Sequence, residues 1–244
     1  MDFSGRVALV TGAARRLGRE IARALAAAGT DLVVHHHASA QHAEETARVL
    51  RDLGVRAEIL QADLRQPGQI ATLFGKIAAR FGRLDILVNS AARFERKPVL
   101  DITAADWDRV MNLNLRAAFL CSQQAARLMR AGGAGVIVNI ADVAAFQAWP
   151  AHAHYCISKA GLVMMTRVLA RALAPQIRVN AVAPGPVLPP EDLTDREAEE
   201  LAQLTALKRW GAPEDVVRAV LFLVDADFVT GETVVVDGGK TLRS

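Results

Sequence analysis

The chain predicts an α/β fold: one Rossmann-type, doubly wound parallel sheet of about seven strands with helices on both faces. Three observations predict it. Apolar runs with strand character alternate with longer Ala-, Leu- and Arg-rich segments from one end to the other. Runs such as Ile86-Leu87-Val88 and Val136-Ile137-Val138 are apolar without alternation, as strands covered on both faces should be. The first run ends in Thr11-Gly12 and passes directly into a helical pattern, the form of a phosphate-binding strand–turn–helix.

In order, strands are expected at 6–11, 31–36, 55–61, 84–89, 135–140, 176–182 and 232–237. Helices are expected between them at 17–29, 40–53, 68–81, 103–130, 152–174, 194–207 and 213–224. No linker, repeat or low-complexity stretch divides residues 1–244, so one domain is expected. Only 184–212 breaks the rhythm. It opens Pro184-Gly185-Pro186, holds Pro189-Pro190 and carries a charged helix, and an insertion after the C-terminal end of a strand is well placed to cover a substrate.

Composition narrows the function. With 52% hydrophobic and 23% charged residues in a chain of 244, a sizeable core is expected and disorder is not. No apolar run approaches the roughly 18–20 residues of a membrane span, and Met1 to Arg6 lack the charged n-region of a signal peptide. Two cysteines, Cys121 and Cys156, exclude a disulfide scaffold and a four-cysteine zinc site. A cytoplasmic protein without a membrane partner is expected. The net charge of +3 is scattered, with no basic stripe beyond Arg15-Arg16, so no nucleic-acid partner is expected and a small anionic ligand suits the balance.

Glycines and alanines in Gly12-Ala13-Ala14-Arg15-Arg16-Leu17-Gly18 would let the backbone approach a pyrophosphate, with a helix N-terminus supplying free N–H groups. Many strand–helix turns need glycine for chain reversal alone, but a first strand of a doubly wound pattern favours the phosphate role. The second strand ends in His35-His36-His37-Ala38-Ser39, with no acid before Glu44 to hold an adenine ribose. With Arg16 nearby, that favours NADPH over NADH. The histidines do not suit a metal, because adjacent strand residues point to opposite faces.

Tyr155, the only tyrosine, and Lys159 lie four apart at the start of a helix, and so share a face at the sheet's C-terminal edge. An amphipathic helix with a snorkelling lysine would read the same way. The wider set does not. Thr11-Gly12 with Gly18, Asn89-Ser90-Ala91, Asn114, Tyr155-x-x-x-Lys159, Pro184-Gly185 and the closing Val229-Thr230-Gly231 and Asp237-Gly238-Gly239 resemble the short-chain dehydrogenase/reductases, in order and over the full length. The resemblance implies that Tyr155 is the proton donor. Lys159 would lower its pKa below the usual ~10 and bind the nicotinamide ribose. It also implies that Asn114 anchors a relay water, that Asn89 to Ala91 line the cofactor, and that Asp63 and Leu64 meet the adenine. Asp63 could equally be a turn residue. Homotetramers built on helices 103–130 and 152–174 are implied as well.

Two departures point to a subgroup. Asp142 stands thirteen residues before the tyrosine, where most of the superfamily has serine, and Arg16 replaces the middle glycine of the turn. Both resemble the pteridine reductases, as does His35 to Ala40 as an NADPH-phosphate segment, although Ala38 stands where an arginine would be expected. Phe94 falls at the position of the aromatic that stacks on the pterin, and Leu188 in the substrate segment. The resemblance therefore implies NADPH-dependent reduction of a dihydropterin such as dihydrobiopterin or dihydromonapterin, or of dihydrofolate, with Asp142 and Tyr155 relaying the proton. A carbonyl reductase that replaced its serine remains the alternative, and a non-catalytic NADPH sensor a further one.

Overall fold

The computed structural model describes residues 1–189 and 194–242, with backbone alone at Asp195. Seven strands form one sheet in the order β3-β2-β1-β4-β5-β6-β7, every pair parallel. They are β1 (Val7–Val10), β2 (Asp31–His36), β3 (Ala57–Gln61), β4 (Ile86–Asn89), β5 (Gly135–Ile140), β6 (Ile177–Pro184) and β7 (Thr233–Val236). Each lies within two residues of its expected span.

The described residues form eight α-helices: α1 (Arg16–Ala27), α2 (Ala40–Asp52), α3 (Pro67–Phe81), α4 (Ala104–Met111), α5 (Ala118–Ala131), α6 (Ala153–Leu173), α7 (Asp195–Gln203) and α8 (Pro213–Asp225). The pleat explains why the strands are apolar throughout. Val7 and Leu9 point to one face, where they meet α3, α5 and α6 through Leu73, Cys121 and Leu162. Ala8 and Val10 point to the other and meet α1, α2 and α8 through Leu25, Leu50 and Val220. Leu9 is fully buried, and its truncation to alanine should cost about 2–5 kcal/mol.

The single helix expected over 103–130 is not continuous. Between α4 and α5 the residues Asn112–Ala117 form a π-helical turn. Its extra residue resets the helical phase and turns the buried Asn114 toward the backbone of Arg93. A one-residue phase shift leaves almost no trace in hydrophobic periodicity. The helix expected at 194–207 is also shorter. It starts on a capping box of Thr194 and Glu197 and stops at Gln203, after which the buried Thr205 hydroxyl donates to the Ala202 carbonyl and accepts the Arg209 N–H. Pro190 of the substrate segment lies outside the described residues. No helix among the described residues is long and apolar enough to cross a membrane.

Candidate active site

The chain order reverses between β1 and β4, and a cleft of about 590 Å³ opens there at the carboxyl ends of the strands. Its floor is the turn after β1. Gly12 has φ +70°, and a Cβ on it would lie 3.1 Å from the Ala91 Cα. A Cβ on Gly18 would lie 2.4 Å from the Gly12 carbonyl oxygen, so only glycine lets α1 pack onto its own turn. Arg15 at the N-cap gives no side-chain cap, which leaves first-turn amides of α1 for a ligand in the cleft. Leu17 lines the same wall.

Several expected cofactor residues serve the fold. His35 lines the cleft and also braces it: the ring is buried, its Nδ1 accepts the Gly12 N–H at 3.1 Å and its Nε2 meets the Ala62 carbonyl at 3.1 Å. Burial pushes its pKa down to about 4, so the ring is neutral with Nε2 as donor. It braces the phosphate turn against the end of β3. Asn89 is also buried, donating to Asn139 Oδ1 at 2.8 Å and Ser122 Oγ at 3.0 Å, and does not line the cleft; Ser90 and Ala91 do. Their N–H groups donate to Thr11 Oγ1. Asp63 does not line the cleft either. Arg65 grips both its carboxylate oxygens, and holds its pKa down at about 2. Leu64 and Arg65 take its place in the wall.

Arg16 occupies φ +52°, a left-handed conformation that costs a side chain about 1–2 kcal/mol. Arg16 lines the cleft. It donates to the carbonyls of Pro189 at 3.1 Å and Leu188 at 3.4 Å, tying the phosphate turn to the segment after β6. Pro184, Gly185 and Leu188 of that segment line the cleft, as do His37 and Ser39 at the end of β2. The sequence reading missed His36, Arg65, Arg93 and Arg109, which also line it. The spacing Asp63-x-Arg65 at a strand end was a usable signal. Arg109 comes from α4 and only tertiary structure brings it there.

Asp142 is the one acid among the described lining residues. Glycine clearances, uncapped amides and a basic wall fit a dinucleotide with its pyrophosphate and ribose groups.

At the far end stand Tyr155 and Asp142. The buried phenol donates to Asp142 Oδ2 at 2.7 Å, while Oδ1 accepts the Ala144 N–H at 2.8 Å and fixes the carboxylate. Lys159 is also buried, donates to the Ile140 carbonyl at 2.8 Å, and keeps its Nζ 5.7 Å from the centre of the tyrosine ring. The expectation that Lys159 lowers the phenol is overturned. Burial and then the adjacent Asp142 charge hold Tyr155 well above 10. Burial also brings Lys159 down to about 8, with Asp142 partly opposing it.

Asn114 donates to the Arg93 carbonyl at 3.0 Å and to Ser158 Oγ at 3.1 Å, and accepts the Arg93 N–H at 2.8 Å. Ser158 Oγ in turn donates to the Tyr155 carbonyl, so Asn114 ties the loop after β4 to the helix that carries the tyrosine. Phe94, on that loop, lies largely in solvent. It stacks on His152 at 4.5 Å and meets Tyr155 edge-on at 4.8 Å.

A parallel sheet in this order, with a glycine-walled cleft ending in a Tyr–Lys pair, defines a dinucleotide-dependent oxidoreductase. Residues 12–241 match the family model described as "Enoyl-(Acyl carrier protein) reductase". A Picea abies protein described as a short-chain type dehydrogenase/reductase is 38% identical, covering 98% of this chain and 93% of its own. A Synechocystis 3-oxoacyl-[acyl-carrier-protein] reductase is 36% identical over 98% of both. The solved gluconate 5-dehydrogenase of Burkholderia cenocepacia, in complex with NADP and tartrate, superposes with a TM-score of 0.93 at 33% identity, covering 100% of this chain and 98% of that one. The chain belongs to the short-chain dehydrogenase/reductases, oxidoreductases that use a nicotinamide cofactor. The pteridine subgroup finds no support in these relatives.

Proposed function

We propose that the protein is an NADPH-dependent carbonyl reductase that interconverts a ketone and its secondary alcohol. The observation that carries this reading is the protonated Tyr155 hydroxyl held by Asp142 at the end of the cleft. The relatives, described as a 3-oxoacyl reductase and a gluconate dehydrogenase, support it.

The cofactor would supply the hydride. Arg15 and the first-turn amides of α1 would hold its pyrophosphate, while His36, His37, Ser39 and Arg65 form a wall suited to a 2′-phosphate. Lys159, buried beside Tyr155, has the reach of a ribose ligand. In reduction the Tyr155 Oη proton passes to the carbonyl oxygen, and a solvent proton relayed through Asp142 along the 2.7 Å hydrogen bond restores the phenol. In alcohol oxidation the same relay runs backward, with the carboxylate as terminal base. A phenolate left beside an ionised carboxylate would be costly, so the two groups share one proton.

One specific observation keeps the pteridine reading as a second. A carboxylate in place of a hydroxyl suits a substrate that presents N–H groups, and the open Phe94 face suits a flat ring. NADPH oxidation with a ketone panel run beside dihydrobiopterin, dihydromonapterin and dihydrofolate decides between them. Turnover of ketones alone supports the carbonyl reading, and turnover of pterins alone overturns it. NADPH should outcompete NADH in the same assay.

The protein is also proposed to be a homotetramer. Trp107 on α4, Phe119 on α5 and Ile157, Met164 and Val168 on α6 leave apolar side chains in solvent, and helix pairing would cover them. Light scattering at micromolar concentration tests this, and a monomer would overturn it.

A further inference from the structure

Beyond Tyr155 runs a chain of ring contacts, of which the sequence analysis used only Phe94. Phe94 stacks on His152, and His152 meets Trp149 edge-on at 6.0 Å. Trp149 in turn carries the Lys240 ammonium 5.0 Å from its ring centre. Lys240 comes from the far end of the chain, in the short turn Lys240–Leu242 after β7. Two sets of contacts hold that turn in place. Gln147 donates to the Lys240 carbonyl at 3.4 Å. The Asp237 carboxylate accepts from the Gly239 N–H at 2.8 Å and from the Thr241 N–H and Oγ1 at 2.7 and 2.8 Å.

Asp237 is thus committed to its own turn and makes no ion pair with Lys240. Among the described residues the ammonium has no hydrogen-bond or ion-pair partner. Its one close contact is the face of Trp149, which attracts a cation but accepts none of its three N–H bonds. Partial burial pushes its pKa down, with Asp142 and Asp237 opposing. A partly desolvated ammonium with three unspent donors, near enough to the cleft residue Asp142 to feel its charge, has the chemistry of an anion subsite.

We propose that Lys240 is that subsite, and that the ketone reduced at Tyr155 is an oxo acid whose carboxylate seats against the Lys240 ammonium over Trp149. A single ammonium flanked by Asp142 and Asp237 suits a monoanion. A phosphate dianion would meet both carboxylates with one cation to offset them. The inference deepens the carbonyl-reductase reading and rests on it for the reacting group.

The test compares short oxo acids with their methyl esters as ketone substrates of the purified NADPH-bound protein, for the parent, Lys240→Met and Lys240→Arg. The parent should prefer the acids. Lys240→Met should raise KM for the acids by about 10- to 100-fold, as for a lost charged hydrogen bond, and for the esters by less than about 3-fold on the same scale. Lys240→Arg should restore most of the discrimination. Calorimetric titration of butyrate, a monoanion, into the NADPH complex reads the subsite without turnover, and binding should be lost in Lys240→Met. A parent that favours esters, or a Lys240→Met that raises both KM values alike, overturns the subsite and leaves Lys240 as a counter-charge to Asp142. If no ketone is consumed, the carbonyl reading fails. Butyrate binding that depends on Lys240 would then still uphold the subsite, and its absence would sink both.

Discussion

The two halves of the cleft treat their polar groups in opposite ways. In the half around the turn after β1 the protein answers many of its own groups, although the α1 amides and His36 Nδ1 stay open: both His35 nitrogens are used, Asp63 is gripped by Arg65, and Thr11 receives the amides of Ser90 and Ala91. In the reacting half the groups are buried but left under tension. Tyr155 is raised well above 10 by burial and Asp142, Lys159 is lowered to about 8, and Lys240 has only an aromatic face. The first half is a preformed mould, whose satisfied network sets geometry before a ligand arrives. The second stores electrostatic imbalance that a substrate can relieve, which is where perturbed proton affinities belong in an enzyme.

The contrast breaks most sharply at Asp142. Asp142→Asn keeps the shape but removes the relay, so ketone reduction should fall by roughly 10²–10⁴-fold in kcat, while NADPH affinity, measured by fluorescence titration, stays near the parent's. Because Tyr155 is the only tyrosine, ultraviolet pH titration reads it directly. The parent should show no phenolate until well above pH 10, and Asp142→Asn should ionise earlier, because the adjacent charge is gone. A parent that titrates below pH 10 would mean that Asp142 does not govern the phenol.

The mould can be tested through His35. Its folded pKa of about 4 lies below the unfolded value of about 6.5, so the unfolded chain binds the extra proton between those limits. The contribution is fully present above about pH 6.5 and is lost as pH falls toward 4, amounting to roughly 3 kcal/mol once both states are protonated. His35→Gln can still accept from Gly12 and donate to Ala62 but cannot titrate. Its thermal midpoint should fall less steeply over that interval than the parent's, and parallel curves would show that His35 does not carry the slope.

Arg65 offers the smallest effect. Arg65→Ala should weaken NADPH by about 10-fold or somewhat more, for one charged hydrogen bond, and NADH by less. Equal losses would place Arg65 away from the 2′-phosphate and leave it as the anchor of Asp63.

Much of this was legible in one dimension because it depends on local chemistry. Strand runs, the glycines of the turn and the Tyr155–Lys159 spacing are each local, and all fall where the reading put them. Asn89 was misread for a physical reason, and the same one gives His35 its second role. A polar residue at a strand end looks the same in sequence whether it faces a ligand or a neighbouring element. Depth decides: Asn89 finds Asn139 and Ser122 in the core, and His35 finds two backbone groups. The sign of the Tyr155 shift was misread because spacing places Lys159 one turn away, yet the hydrogen bond goes to Asp142 from another loop.

By itself, then, the sequence determined the parallel sheet, the glycine turn after β1 and the Tyr155–Lys159 pair at the sheet's edge, since hydrophobic pattern and short-range spacing dictate them. Tertiary structure alone decided the rest. It inserted the π turn that aims Asn114, tied Arg16 to the segment after β6, and carried Lys240 from beyond β7 to Trp149. Those outcomes rest on burial and on contacts between residues far apart in the chain, and desolvation and long-range pairing have no signature in the order of residues.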